Sequence, residues 1–237
     1  VPNGAAGLPA NPPLVLGLVE DPIHHIIYTG QAPSGGVATF TYSSSGKVSF
    51  VGSVASKGAA TCWLNISPDG KYLYATDSAS DAISVYSLAN PLKPSFIQEF
   101  YLNGPTNHWI NNTSKGPTSE DFQFTFDPTG KYLYVVNHTT DPNFQEGNQL
   151  HLIEVGPDGK LSESTGPQLF PASLVTGLTH VDGIALISPA GYYGGYAASI
   201  AALPTSRIAT ASVFSDDNSK LKQLQQTVDE LLDAAIA

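Results

Sequence analysis

Two short stretches place acid–base groups close together: Glu120 beside Asp121, and His180 two residues before Asp182. A carboxylate and an imidazole that converge can activate water or move a proton, which is the chemistry that opens a lactone. Glu120, Asp121 and His180 are therefore the candidate catalytic groups, with Asp77, His138, Asp182 and Trp109 as candidate contacts to a ligand or partner. A second reading, left open, makes them solvated rim residues or acceptors for loop backbone. Asp141, Asn143, Gln145 and Glu146, close to Asn137, supply hard oxygen ligands within one loop. That is the inventory a Ca2+ site needs, without the spacing of a known calcium motif. Asn111, Asn112 and Asn137 head triplets of the glycan-acceptor type in expected loops.

Other chemistries are excluded by what the chain lacks. No His pair has the helical i, i+4 spacing of a zinc site, and the lone Cys62 rules out an internal disulfide or a multi-cysteine metal centre. Cys62, beside Trp63 in an apolar run, reads as a buried, inert thiol. There is no Gly-x-Ser-x-Gly turn for a nucleophile and no Gly-x-x-x-x-Gly-Lys phosphate cradle. His24 and His25 fall at a hairpin turn. A net charge of −10 leaves no basic stripe, so neither nucleic acid nor an anionic membrane is an expected partner. No apolar run approaches the roughly 20 residues that span a bilayer. Val1 as first residue, the absence of Met, low charge and Ser/Thr/Asn-rich loops suit an exported protein, whether secreted, extracellular or periplasmic.

The elements that must position these groups come from a repeat. Leu64-Asn-Ile-Ser-Pro-Asp-Gly-Lys-Tyr-Leu-Tyr-Ala-Thr-Asp77 returns as Phe124-Thr-Phe-Asp-Pro-Thr-Gly-Lys-Tyr-Leu-Tyr-Val-Val-Asn137. Degenerate copies lie around Pro22 and Pro189, making four turn prolines with Pro68 and Pro128, spaced as propeller blades with loop insertions are. Each copy has an apolar run, a Pro–Gly turn that reverses the chain, and an alternating Tyr-rich strand. A third strand follows at 37–42, 82–86, 150–155 and 208–214. A fourth lies at 48–51, 96–100, near Leu161, and at 221–224 if that last segment is not helix. The fold class is all-β, a β-propeller of four-stranded antiparallel blades over residues 1–218. Residues 219–237 carry Leu221, Leu224, Val228, Leu231, Leu232 and Ile236 at helical spacing, predicting a C-terminal amphipathic α-helix that covers a strand edge or makes a dimer contact.

In such a blade the loops into the first strand and between the second and third strands share one face. All the candidate site residues above are expected on that face. The loop 103–119, carrying Trp109, is the longest, and an exposed aromatic there suits partner or glycan contact.

The Ser67-Pro-Asp-Gly-Lys-Tyr-Leu-Tyr-Ala-Thr-Asp77 phrase, the Asp81-Ala-Ile-Ser-Val-Tyr86 strand and the Gly58-Ala-Ala-Thr-Cys-Trp-Leu-Asn65 segment resemble the lactonase-type seven-bladed propellers. That family includes 6-phosphogluconolactonase-like and carboxymuconate-cyclase-like proteins and many exported members. The resemblance implies about seven blades, of which this chain supplies four. The rest would lie on another or a cleaved-off chain, come from a second copy, or be dispensed with if four blades close alone. It also implies His, Arg and Glu side chains facing the central channel, with a His five residues before the turn proline. Those positions are Gly17, Trp63, Gln123 and Ile184. The reading that follows is an exported propeller acting as a binding or structural module in a larger assembly. Its alternative is a hydrolase or isomerase of cyclic esters or sugar-acid lactones, with no resident cofactor.

Overall fold

Residues 14–32, 34–104, 119–139, 145–175 and 181–185 are described by a computed structural model of the chain. They form three antiparallel propeller blades in chain order. The first is β1 (Leu14–Asp21), β2 (Ile26–Ala32), β3 (Val37–Tyr42) and β4 (Val48–Val54). The second is β5 (Thr61–Ile66), β6 (Tyr72–Asp77), β7 (Ala82–Ser87) and β8 (Ser95–Tyr101). The third is β9 (Ser119–Phe126), β10 (Tyr132–Thr139) and β11 (Gln149–Val155), with an outer edge split into β12 (Leu161–Ser162) and β13 (Gln168–Leu169). The first strands of successive blades pack on one another, β1 on β5 and β5 on β9. No helix among the described residues is long and apolar enough to cross a membrane. The repeat copy at Pro189 and the segment 219–237 lie outside the described residues.

The turn phrase folds as its residues dictate. Gly70 and Gly130 take the left-handed conformation (φ 73 and 71) and donate their amides back to Ser67 and Asp127. Ser67 Oγ accepts the amides of Lys71 and Tyr72, and the Asp127 carboxylate does the same for Lys131 and Tyr132. The second strands are buried on both faces, between their own sheet's neighbours and the adjoining blades, so they read as nearly unbroken apolar runs. One core cluster fills the seam between the second and third blades around Tyr74, Val85, Phe126, Leu133 and Ile153. Another fills the seam between the first and second around Tyr28, Val37, Leu73 and Tyr86.

Each first strand bulges at the same level. The register slips by one residue between Leu16 and Leu18, between Thr61 and Leu64, and between Asp121 and Phe124. A bulge turns the strand's upper end relative to its lower end. It sets which way the residues above it point. Those upper ends run further than the apolar pattern predicts: β9 starts at Ser119 and β10 continues to Thr139. Glu120, Asp121, Asn137 and His138 are therefore strand residues rather than loop residues, each paired across β9 and β10.

Candidate functional site

On the third blade, Glu120 of β9 and His138 of β10 are direct cross-strand partners, so their side chains stand together on one face. His138 Nε2 lies 3.8 Å from Glu120 Oε2. His138 Nδ1 lies 2.8 Å from Asp182 Oδ1. Asp182 belongs to the segment 181–185, which is tied across β9 by the Ile184 amide donating to Gln123 Oε1 at 3.3 Å. Val181 and Ile184 of that segment pack against the apolar cluster of Tyr134, Val136 and Phe122. Phe122 lies beneath the imidazole, ring centroids 4.5 Å apart, and Trp63 adjoins Phe122 from the second blade. The imidazole is nearly buried, whereas the Asp182 side chain is 60% exposed, which leaves the site open to solvent on one side.

The three groups have different electrostatic settings. Burial pushes the Glu120 carboxyl above its ordinary value. A carboxylate on Nδ1 favours the tautomer that carries its proton there, with Nε2 on the side of Glu120. The gap of 3.8 Å is too long for a direct hydrogen bond and is a distance that one bridging oxygen can span.

The other candidates part company with this site. Asp77 is fully buried, accepting hydrogen bonds from Thr61 and, at 2.5 Å, from Ser84. Ser84 Oγ also lies 2.7 Å from Glu99 Oε2 and so bridges the two carboxyls. Burial, with the Glu99 charge beside it, raises Asp77 well above the carboxylate range. Gly58 lies against this pair, where a Cβ would come within 2.3 Å of Glu99 and 2.7 Å of an Asp77 oxygen. Asp121 is also fully buried, on the face opposite Glu120, which removes it from a role in touching substrate. Asn137 is wholly buried in β10, its amide donating to Asp81 and Ser119, and such a position cannot carry a glycan. Glu146 is exposed on the single turn Gln145–Gly147. His180, Trp109, Asn111, Asn112, Asp141 and Asn143 lie outside the described residues. Cys62 is buried, and burial pushes its thiol up.

The sequence model of a family described as "Lactonase, 7-bladed beta-propeller" matches residues 17–144, just over half of the chain. The chain belongs to this lactonase family. Among solved structures, a Bacteroides uniformis protein provisionally designated a 6-phosphogluconolactonase aligns with TM-score 0.56 and 19% identity, covering 77% of this chain and 46% of its own. The periplasmic gluconolactonase of Pseudomonas aeruginosa aligns with TM-score 0.54 and 18% identity, covering 76% and 45%. A Bacteroides fragilis protein with the same provisional designation as the first gives 0.56 and 15%, covering 79% and 49%. These likenesses show the fold, and the chain spans less than half the length of each of these structures. No curated protein sequence matches the chain.

Within this lactonase-type propeller, Gly17, Trp63 and Gln123, five residues before their turn prolines, sit at the first-strand bulges and bring no imidazole. The one imidazole that the described residues bring between two carboxylates near the surface comes from the second strand, at His138. His151, the other deeply buried imidazole, pairs with Glu163 at 2.8 Å with both side chains closed to solvent, inside the split outer edge of the third blade. Phe122 and Gln123, which shape and brace the site, carry no chemical signal in the sequence. Only their place on either side of the bulge marks them.

Proposed function

We propose that this chain hydrolyses lactones, with His138 as the general base. The observation that carries the reading is the imidazole held by Asp182 on Nδ1 with Nε2 facing Glu120 across 3.8 Å. His138 Nε2 takes a proton from a water that attacks the lactone carbonyl carbon. The tetrahedral adduct then expels the ring oxygen, which takes the proton from His138 or Glu120, and the product is the open hydroxy acid. Asp182 holds the imidazole's orientation and offsets its charge as it becomes protonated. Membership in the lactonase family supports the reaction class.

The substrate is a neutral cyclic ester or sugar-acid lactone. Glu120 and Asp182 flank the site, and a phosphorylated lactone meets these two carboxylates unfavourably. Export is part of the proposal and is supported by a periplasmic neighbour of the same fold.

Turnover of neutral and phosphorylated aldonolactones by the purified chain tests the proposal. His138→Ala is expected to lower kcat by about 100-fold or more, and Asp182→Asn by less. Neutral lactone should be turned over faster than its phosphate ester. No turnover of any lactone, or turnover unchanged in His138→Ala, returns the chain to the reading of a binding or structural module.

A further inference from the structure

Where the second blade meets the third, a row of buried side-chain oxygens has no hydrogen-bond donor among the described residues. Asn137 of β10 is in register with Asp121 of β9 on one side and with Gln149 of β11 on the other. In-register residues share a face, so the three side chains stand side by side, on the face opposite Glu120 and His138. All three are fully buried. That face looks toward the second blade, whose Asp81 accepts the Asn137 amide at 2.6 Å.

The amide orientations follow from their donors. Asn137 Nδ2 donates to Asp81 Oδ1 and to Ser119 Oγ, and Gln149 Nε2 donates to the Glu146 carbonyl at 2.6 Å. The remaining atoms of the row are all acceptors: Asn137 Oδ1, Gln149 Oε1 and both carboxyl oxygens of Asp121, none with a hydrogen-bond partner. A buried polar group left unmatched is costly, and four acceptors in one row without a donor are not a random lapse of packing. Among the described lysines, Lys47, Lys71, Lys93, Lys131 and Lys160 lie in turns at the far face, and Lys57 sits over the Phe96 ring. Among the described residues, no lysine serves the row.

We propose that this seam binds a calcium ion, held by the carboxylates of Asp121 and Asp81 with the amide oxygen of Asn137 and, next in the row, that of Gln149. The donor set is all hard oxygen. Two carboxylates balance a divalent charge, and Ca2+ accepts an irregular shell of carboxylate and amide oxygens that Mg2+ tolerates poorly. Asp81 is brought to the seam by a left-handed backbone (φ 52) at the end of the turn Ser78–Ser80. Burial, then the charges of Asp81 and Asp77, raise Asp121 well above the carboxylate range, a direction that a bound dication reverses. This ligand set shares no side chain with the group Asp141, Asn143, Gln145 and Glu146 and does not depend on the lactonase proposal.

Calcium titration of the EDTA-treated full chain by calorimetry, with thermal unfolding alongside, tests it. One Ca2+ per chain should bind, and Tm should rise with Ca2+ concentration and much less with Mg2+. Asp121→Asn keeps the shape of the side chain, and Asp81→Asn tolerates the left-handed backbone. Each, folded by circular dichroism, should lose more than about tenfold in Ca2+ affinity and most of the Tm rise. Asp141→Asn should retain both. Absence of Ca2+ binding, or binding that both seam variants preserve, or binding that Asp141→Asn alone removes, overturns the assignment.

Discussion

Glu120 and Asp121 are consecutive residues that face opposite ways across the third blade, and His138 and Asn137 opposite them do the same. One pair meets the segment around Asp182; the other is sealed against the second blade. The consequence for Asp121 is a titration. Its folded-state value is raised by burial, so its contribution to stability is complete below the unfolded value near pH 4 and is lost as pH climbs through the folded value. Asp121→Asn stays neutral throughout. In EDTA buffer, the variant's Tm should gain on that of the native chain between pH 4 and pH 8, at about 2–4 °C for each kcal/mol recovered. A difference that stays flat with pH contradicts a raised Asp121. The sequence put Glu120, Asp121 and His180 forward as catalytic, with Asp77, His138, Asp182 and Trp109 as contacts, because all are expected near one end of their blades. Which of them meet depends on strand parity above a bulge, and the residues around the bulge, Phe122 and Gln123, do not announce it.

At the scale of elements, a second-strand Tyr ties the first blade to the second and the second to the third. Tyr28 donates its hydroxyl to the Pro91 carbonyl at 2.7 Å, and Tyr74 donates to the Gly159 carbonyl at 2.9 Å, each in the turn between third and fourth strands of the following blade. Tyr134 occupies the same place, and its buried hydroxyl has no partner among the described residues. Tyr74→Phe removes a buried hydrogen bond and leaves a carbonyl unmatched, which should cost about 1–2 kcal/mol in urea unfolding. Tyr42→Phe, whose hydroxyl meets Glu20 in solvent, should change stability by less than about 0.5 kcal/mol. Equal losses in the two variants would contradict the tie. The Tyr repeat is visible in the sequence, whereas its reach to the neighbouring blade is not, because the contact spans 85 residues.

At the scale of the molecule, the open face of the first blade exposes Leu14, Leu16 and Leu18, the last at 63%. Apolar surface of that kind on a first strand, in a seven-bladed family, supports the proposal that another chain or a second copy packs there. Light scattering should then give a mass above that of one chain, and Leu18→Asp should lower it. A monomer insensitive to Leu18→Asp rules out a second copy on that face. The sequence by itself determined the blade, because the Pro–Gly turns and Tyr-rich strands are local chemistry repeated in order. It also offered carboxylates and imidazoles as the acid–base groups, with no metal-type cysteines and no phosphate cradle. Tertiary structure alone decided that His138 stands between Glu120 and Asp182, and that Asp77, Asp121 and Asn137 are sealed away from solvent. The physical reason is that side-chain direction on a strand has a period of two, and a one-residue bulge reverses it for every residue above.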